Sequence, residues 1–243
     1  MRVHGTTYSD AVRLVIDWAR NRRPRYVCCA SVNNVMEAFD SAEFRDIMNS
    51  AGLVTPDGMP LVWGLRLLGV RPAARVYGPD LMQFVLEAAA REGLSAGFYG
   101  ANPRVLDRLI SVVRRRFPGL DVAYVFSPQF RSLTPPEDEQ IVRDINASGV
   151  RILFVGLSTP KQERWMAAHR GRIPAVMLGV GAAFDFLAGT KPQAPRWMQG
   201  AGLEWLFRLW TEPRRLAPRY LRQNPRFLAF FLMQLLGLRR FAS

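Results

Sequence analysis

Between residues 150 and 190 the chain twice runs from an unbroken apolar stretch into glycine and polar residues. Ile152-Leu153-Phe154-Val155-Gly156-Leu157 gives way to Ser158-Thr159-Pro160-Lys161-Gln162-Glu163-Arg164-Trp165, and Ala175 to Gly181 runs into a segment carrying Asp185. Short, continuous apolar runs of this kind read as strands buried on both faces, and such strands belong to parallel sheets covered by helices. The carboxyl ends of these strands form the edge where an α/β protein binds its ligands. The spacing therefore delivers Gln162, Glu163 and Asp185 to one edge of a sheet.

The same alternation recurs upstream. Tyr26 to Ser31, Ala96 to Gly100 and Asp121 to Phe126 read as further strands, and Val35 to Met48 and Pro103 to Phe117 as helices. Pro103 suits a first helical turn. A helix over Glu137 to Ala147 opens after Thr134-Pro135-Pro136 and stops near Ser148-Gly149. The pattern predicts an α/β fold: a Rossmann-like parallel sheet flanked by helices. A chain of 243 residues suffices for one such core with an appendage. The composition changes near Gln193-Ala194-Pro195, which divides a catalytic domain (1–193) from a basic, aromatic helical appendage (194–243).

Charge is the second constraint. Lys and Arg total 33 against 20 Asp and Glu, a net +13, and Lys161 and Lys191 are the only lysines. From Arg196 onward nine arginines, Arg239 and Arg240 among them, face only Glu204 and Glu212, so this tail holds +7 of the charge. Arg215, Arg219, Arg222 and Arg226 share one face if the segment is helical, although Pro218 and Pro225 predict short kinked helices with a new start at Asn224-Pro225. Such a surface fits nucleic acid, an anionic membrane or a phosphorylated substrate, and GC-rich coding sequence also inflates arginine. The apolar run Phe227 to Leu238, broken by Gln234 and Gly237, is well short of the roughly 20 residues that cross a bilayer; it can lie on a membrane but not span one. Cys28 and Cys29 have no further cysteine to pair with, which excludes a disulfide framework and fits a reducing compartment. No charged-then-apolar leader opens the sequence, so export is not expected.

Several polar residues sit where chemistry is done. Asp57, in Thr55-Pro56-Asp57-Gly58 before the helix-like Met59 to Leu68, can project into a cleft as a general base or merely cap the helix. Ser31 and Asn33 follow the first strand, where they can bond a sugar or cap a helix; for Asn34 the cap is preferred. Gly100, in Phe98-Tyr99-Gly100-Ala101-Asn102-Pro103, offers close backbone approach to a nucleotide. Gly179-Val180-Gly181 supplies only part of a dinucleotide fingerprint, since Phe184 stands at the third glycine, which argues against an NAD enzyme. There is no Asp-x-Asp pair, and His4 and His169 are unrelated in position, so no metal is expected.

The runs GLSTPKQERWM, GVGAAFDFLAGTKPQAPRWMQ and GLEWLFRLWTEPRRL, preceded in order by TPDGMPLVW, RVYGPDLM and FYGANP, resemble the WecG/TagA/CpsF glycosyltransferases over nearly the whole chain. The resemblance implies an inverting transfer of N-acetylmannosamine, its uronic acid or glucose from a UDP-sugar to a polyprenyl-diphosphate-linked saccharide, as in teichoic acid and exopolysaccharide assembly. It implies Asp57 as catalytic base, Arg75 near the diphosphate, and Asp185 at the nucleoside. Ser31 (usually threonine in the family), Asn33, Gln162 and Glu163 fall in the pocket; Gln162 is the favoured substrate contact, with Glu163 free to pair with Arg164 or Lys161. The appendage is expected to bring the enzyme to the inner face of the plasma membrane from the cytoplasm and to supply Arg214, Arg222 and Arg226. No cofactor and no nucleic acid partner are expected, and self-association through the tail's apolar face is left open. Two rival readings are a nucleic-acid-binding protein and a non-catalytic partner of a glycan assembly complex.

Overall fold

A computed structural model describes residues 1–129 and 131–238; Arg239 and Arg240 lie outside the described residues. Six strands, β1 (Tyr26–Ala30), β2 (Leu53–Pro56), β3 (Ala96–Gly100), β4 (Val122–Phe126), β5 (Ile152–Gly156) and β6 (Val176–Gly179), form one sheet in the order β2-β1-β6-β5-β3-β4. Every pairing is parallel. Among the described residues twelve helices connect and extend them: α1 (Tyr8–Arg20), α2 (Val32–Asp40), α3 (Ala42–Asn49), α4 (Met59–Leu67), α5 (Gly78–Arg91), α6 (Pro103–Arg116), α7 (Pro135–Ala147), α8 (Lys161–His169), α9 (Ala183–Leu187), α10 (Arg196–Gly200), α11 (Glu204–Thr211) and α12 (Pro213–Leu235).

The pleat explains the apolar runs. Alternate side chains point to opposite faces, so Val27, Phe98, Phe154 and Leu178 join one core with α1, α5, α6 and α9. Tyr26, Cys28, Tyr99, Val155 and Met177 join a second core with α3, α7 and α8. Both faces are covered, as the Rossmann-like reading requires. From β3 the chain moves on to β4 at one edge, whereas from β5 it turns to β6 in the other direction. Neighbouring strands that leave in opposite directions open a crevice at their carboxyl ends. Two glycines make the junction tight: a Cβ on Gly156 would lie 2.4 Å from the Phe184 ring, and one on Gly100 (φ +129°) would lie 2.6 Å from the Gly156 carbonyl oxygen.

Two helical expectations are corrected. The single helix expected over Val35 to Met48 is two, because Ser41 ends α2 and caps α3, its hydroxyl accepting from Phe44 N at 3.1 Å. The kinked short helices expected in the tail are one continuous helix, α12, which runs through Pro218 and Pro225. Both prolines are exposed, so water can serve the carbonyl each leaves free, and packing holds the segment helical across them. Phe230 stacks on Phe39 of α2 at 4.4 Å, Phe227 packs on the second core, and Phe231 lies against Gly64 of α4. Among the described residues no helix is long and apolar enough to cross a membrane.

Candidate active site

A cavity of about 740 Å³ runs along the carboxyl edge of the sheet, roofed on one side by α11 and α12. Its size is in the range that holds small-molecule ligands, roughly 300–1,000 Å³. Asp57 enters it directly from the end of β2, where its own N–H donates to Ala30 O at 2.9 Å. Its Oδ2 accepts from Gly78 N, at the start of α5, at 2.9 Å. Arg75 stands behind it, not on the cavity wall. Arg75 Nε donates to the Asp57 backbone carbonyl at 2.7 Å, while its NH2 arm is hydrogen-bonded to Glu204 of α11 and lies 4.0 Å from Asp57 Oδ1. The guanidinium also sits 4.2 Å over the Tyr77 ring.

Burial is the main force on Asp57 and, with the Glu204 charge added, pushes its pKa up to about 6 against the pull of Arg75, the Gly78 amide and Arg208. A carboxylate tuned this way is mostly ionised at neutral pH yet far more basic than an exposed one, as general-base work requires.

Behind the cavity a buried carboxylate ties three loops together. Glu163 is fully buried, and its Oε1 accepts from Asn34 Nδ2 (3.1 Å), Thr159 Oγ1 (2.9 Å) and Gln162 Nε2 (3.0 Å). It pairs with neither Lys161 nor Arg164; the latter is tied to Glu43 of α3. Gln162 is buried too but lines the cavity; its Oε1 accepts from Gly181 N at 3.0 Å. Ser31 is the N-cap of α2, and Asn34, at the third helical position, completes a capping box with it, its Oδ1 accepting from Ser31 N at 3.0 Å. Ser31 and Asn33 line the cavity. Gly100 does not; it admits the Gly156 backbone, and Ala101 and Asn102 form the wall there. Burial pushes the Cys28 and Cys29 thiols well up, which removes them as nucleophiles at neutral pH.

At the other end Asp185, in the first turn of α9, lines the cavity with Thr190 Oγ1 3.3 Å and Lys191 Nζ 4.0 Å from its Oδ1. Opposite the sheet, Arg208 of α11 and Arg215 and Arg219 of α12 also line it. Burial, with Arg215 and Arg208 close by, holds the Arg219 guanidinium below its usual pKa. Cations crowded in this way are stabilised by an anion between them. Arg214 and Arg222 are exposed and off the wall, and Arg226 is bound to Asp40 of α2 at 2.9 Å. Arg222 and Arg226 share the helix face of Arg215 and Arg219, but Arg222 lies about 10 Å beyond Arg215 along the axis, past the cavity and over α2. Arg208, Arg215, Arg219, Lys191 and Asn102 line the cavity but are not among the site residues that the sequence indicates. The signal for Arg208 was its spacing from Glu204, one helical turn on the same face. Among the described residues no three His, Cys, Asp or Glu converge as a metal-holding group.

Comparison with known proteins meets this geometry from another side. The family model described as "Glycosyl transferase WecG/TagA/CpsF family" matches residues 1–241. Over 191 residues, covering 78% of this chain and 72% of the relative, the sequence is 30% identical to the N-acetylglucosaminyldiphosphoundecaprenol N-acetyl-beta-D-mannosaminyltransferase of Bacillus spizizenii.

Proposed function

The chain belongs to the WecG/TagA/CpsF family of glycosyltransferases, and we propose that it transfers an N-acetylmannosamine-type sugar from a UDP donor to a polyprenyl-diphosphate-linked N-acetylglucosamine with inversion at the anomeric carbon. The observation that carries this reading is the pairing, in one cavity, of a base tuned to about pH 6, Asp57, with the arginine cluster of Arg208, Arg215 and Arg219.

In the proposed reaction Asp57 takes the proton of the acceptor hydroxyl as its oxygen forms the new bond to the anomeric carbon. The bond from that carbon to the β-phosphate oxygen breaks, and UDP leaves with the electron pair. The developing charge falls beside fixed cations held in place by the fold, which stabilise it without having to reorganise. Arg208, Arg215, Arg219 and Lys191 meet the diphosphate without a resident metal, and Arg75 acts on Asp57 from behind. Asp185 accepts hydrogen bonds from the nucleoside, and Ser31 and Asn33 bond the sugars. Glu163 and Gln162 keep the loops bearing these groups in register. The basic α11 and α12, with Trp205, Trp210 and Leu221 exposed, hold the enzyme against the anionic cytoplasmic leaflet.

The test is a panel of UDP-sugars offered with a short-chain lipid-diphosphate-N-acetylglucosamine, product mass and anomeric configuration being read together. A disaccharide-lipid of inverted configuration is expected; retention of configuration overturns the single-displacement role of Asp57.

A further inference from the structure

Arg75 is shared by two carboxylates on different parts of the fold. Its NH2 arm is hydrogen-bonded to Glu204, on α11, and remains 4.0 Å from the Asp57 carboxylate. Glu204 is buried and stands 147 positions beyond Asp57 in the chain. A guanidinium left with a single carboxylate in a pocket of this kind closes on it, commonly through two parallel hydrogen bonds. Asp57 here is spared that closure because Glu204 holds the arm that would make it.

We propose that Glu204 is a positioning residue of this site: by holding the NH2 arm of Arg75 it keeps the guanidinium off the Asp57 carboxylate, so that the base is free only while α11 is docked. The C-terminal helices then do more than supply cations to the cavity, because their seating sets the state of the base on the opposite wall. The other charged or titratable groups that face Asp57 are Arg208 on α11, Tyr77 at the start of α5, Tyr8 on α1 and Cys29 on β1, with the Gly78 amide as a neutral donor. None of them replaces Glu204, since the tyrosines and Cys29 are neutral at working pH and Arg208 is a cation that favours ionised Asp57. Loss of the Glu204 charge and closure of Arg75 both favour the ionised form of Asp57, so they act in the same direction.

The role in turnover rests on the transferase reading, but the decisive measurement does not. Asp57 is titrated by carboxyl ¹³C NMR in the full chain and in Glu204→Gln. A downward shift of about one pH unit or more is expected; an unchanged or higher value overturns the proposal. Should Glu204→Gln fail to fold, Glu204→Asp keeps the charge but withdraws it by one methylene, and a smaller downward shift is expected, with no shift again overturning it. In turnover, Glu204→Gln moves the acid limb of the kcat profile to lower pH and lowers the plateau about tenfold, part of the ~10²–10⁴ that proton transfer contributes. An unmoved acid limb, with activity lost at every pH, would mean that Glu204 is merely structural. Inactivity of the unmodified protein with every donor would count against the transferase reading and leave the titration standing as its own test.

Discussion

Replacing Asp57 by asparagine is expected to stabilise the protein while abolishing its chemistry. Folding moves the Asp57 pKa from the ordinary 3.8 to about 6, so the folded chain binds this proton more tightly than the unfolded chain. Stability from this group is therefore greatest below pH 4, falls as the pH rises from 4 to 6, and stays low above. A shift of about two units corresponds to about 3 kcal/mol at neutral pH. Asparagine mimics the protonated form: its amide oxygen can still accept from Gly78 N, and Arg75 keeps Glu204. Urea or thermal unfolding at pH 7.5 should place Asp57→Asn about 3 kcal/mol above the unmodified chain, about 6–12 °C in Tm for a domain of this size. At pH 4 the difference should shrink to a small fraction. A variant no more stable than the parent at pH 7.5, or an advantage that persists unchanged at pH 4, refutes the claim that burial strains this carboxylate.

Two other changes test separate parts of the site. Arg219→Ala removes a cation from the cluster and should weaken UDP binding about tenfold to a hundredfold, the loss of one charge-assisted contact, when read by calorimetry; its pH profile of kcat should keep the acid limb of the parent. Glu163→Ala strips the acceptor from Asn34, Thr159 and Gln162 at once and should cost about 3 kcal/mol or more in unfolding experiments, whereas Glu163→Gln keeps an acceptor oxygen and should stay within about 1 kcal/mol of the parent.

What could be read in advance was what depends on local pattern. Strands buried on both faces are apolar on both faces, so β1, β3, β5 and β6 stood out as unbroken runs, and the polar residues at their ends marked the site edge; β4, at the sheet edge with Val125 and Phe126 exposed, was legible from its apolar run alone. Ser31 was visible because it follows β1 directly; Asp185 comes six residues after the end of β6, and Asp57 follows β2, a strand too short to stand out as a run. The break at Ser41 was hidden because one serine both ends α2 and starts α3 while the apolar period continues across it. The tail misled for the opposite cause, since Pro218 and Pro225 carry a local signal for interruption that the stacking of Phe230 on Phe39 and the seating of Phe227 overrule. Contacts across the fold were least legible. Nothing near Arg75 announces Glu204, and the spacing of the tail arginines fixes a helix face but not which turns of it reach the cavity. Arg215 and Arg219 do, and Arg226 instead meets Asp40.

The central claim, that Asp57 is the base for glycosyl transfer in this cavity, is tested most directly by UDP release with and without the lipid-diphosphate-N-acetylglucosamine acceptor, in the parent and in Asp57→Asn. The account predicts release that requires acceptor and falls at least about a hundredfold in the variant, although that variant still binds UDP. Acceptor-dependent release at the parental rate from Asp57→Asn would contradict it.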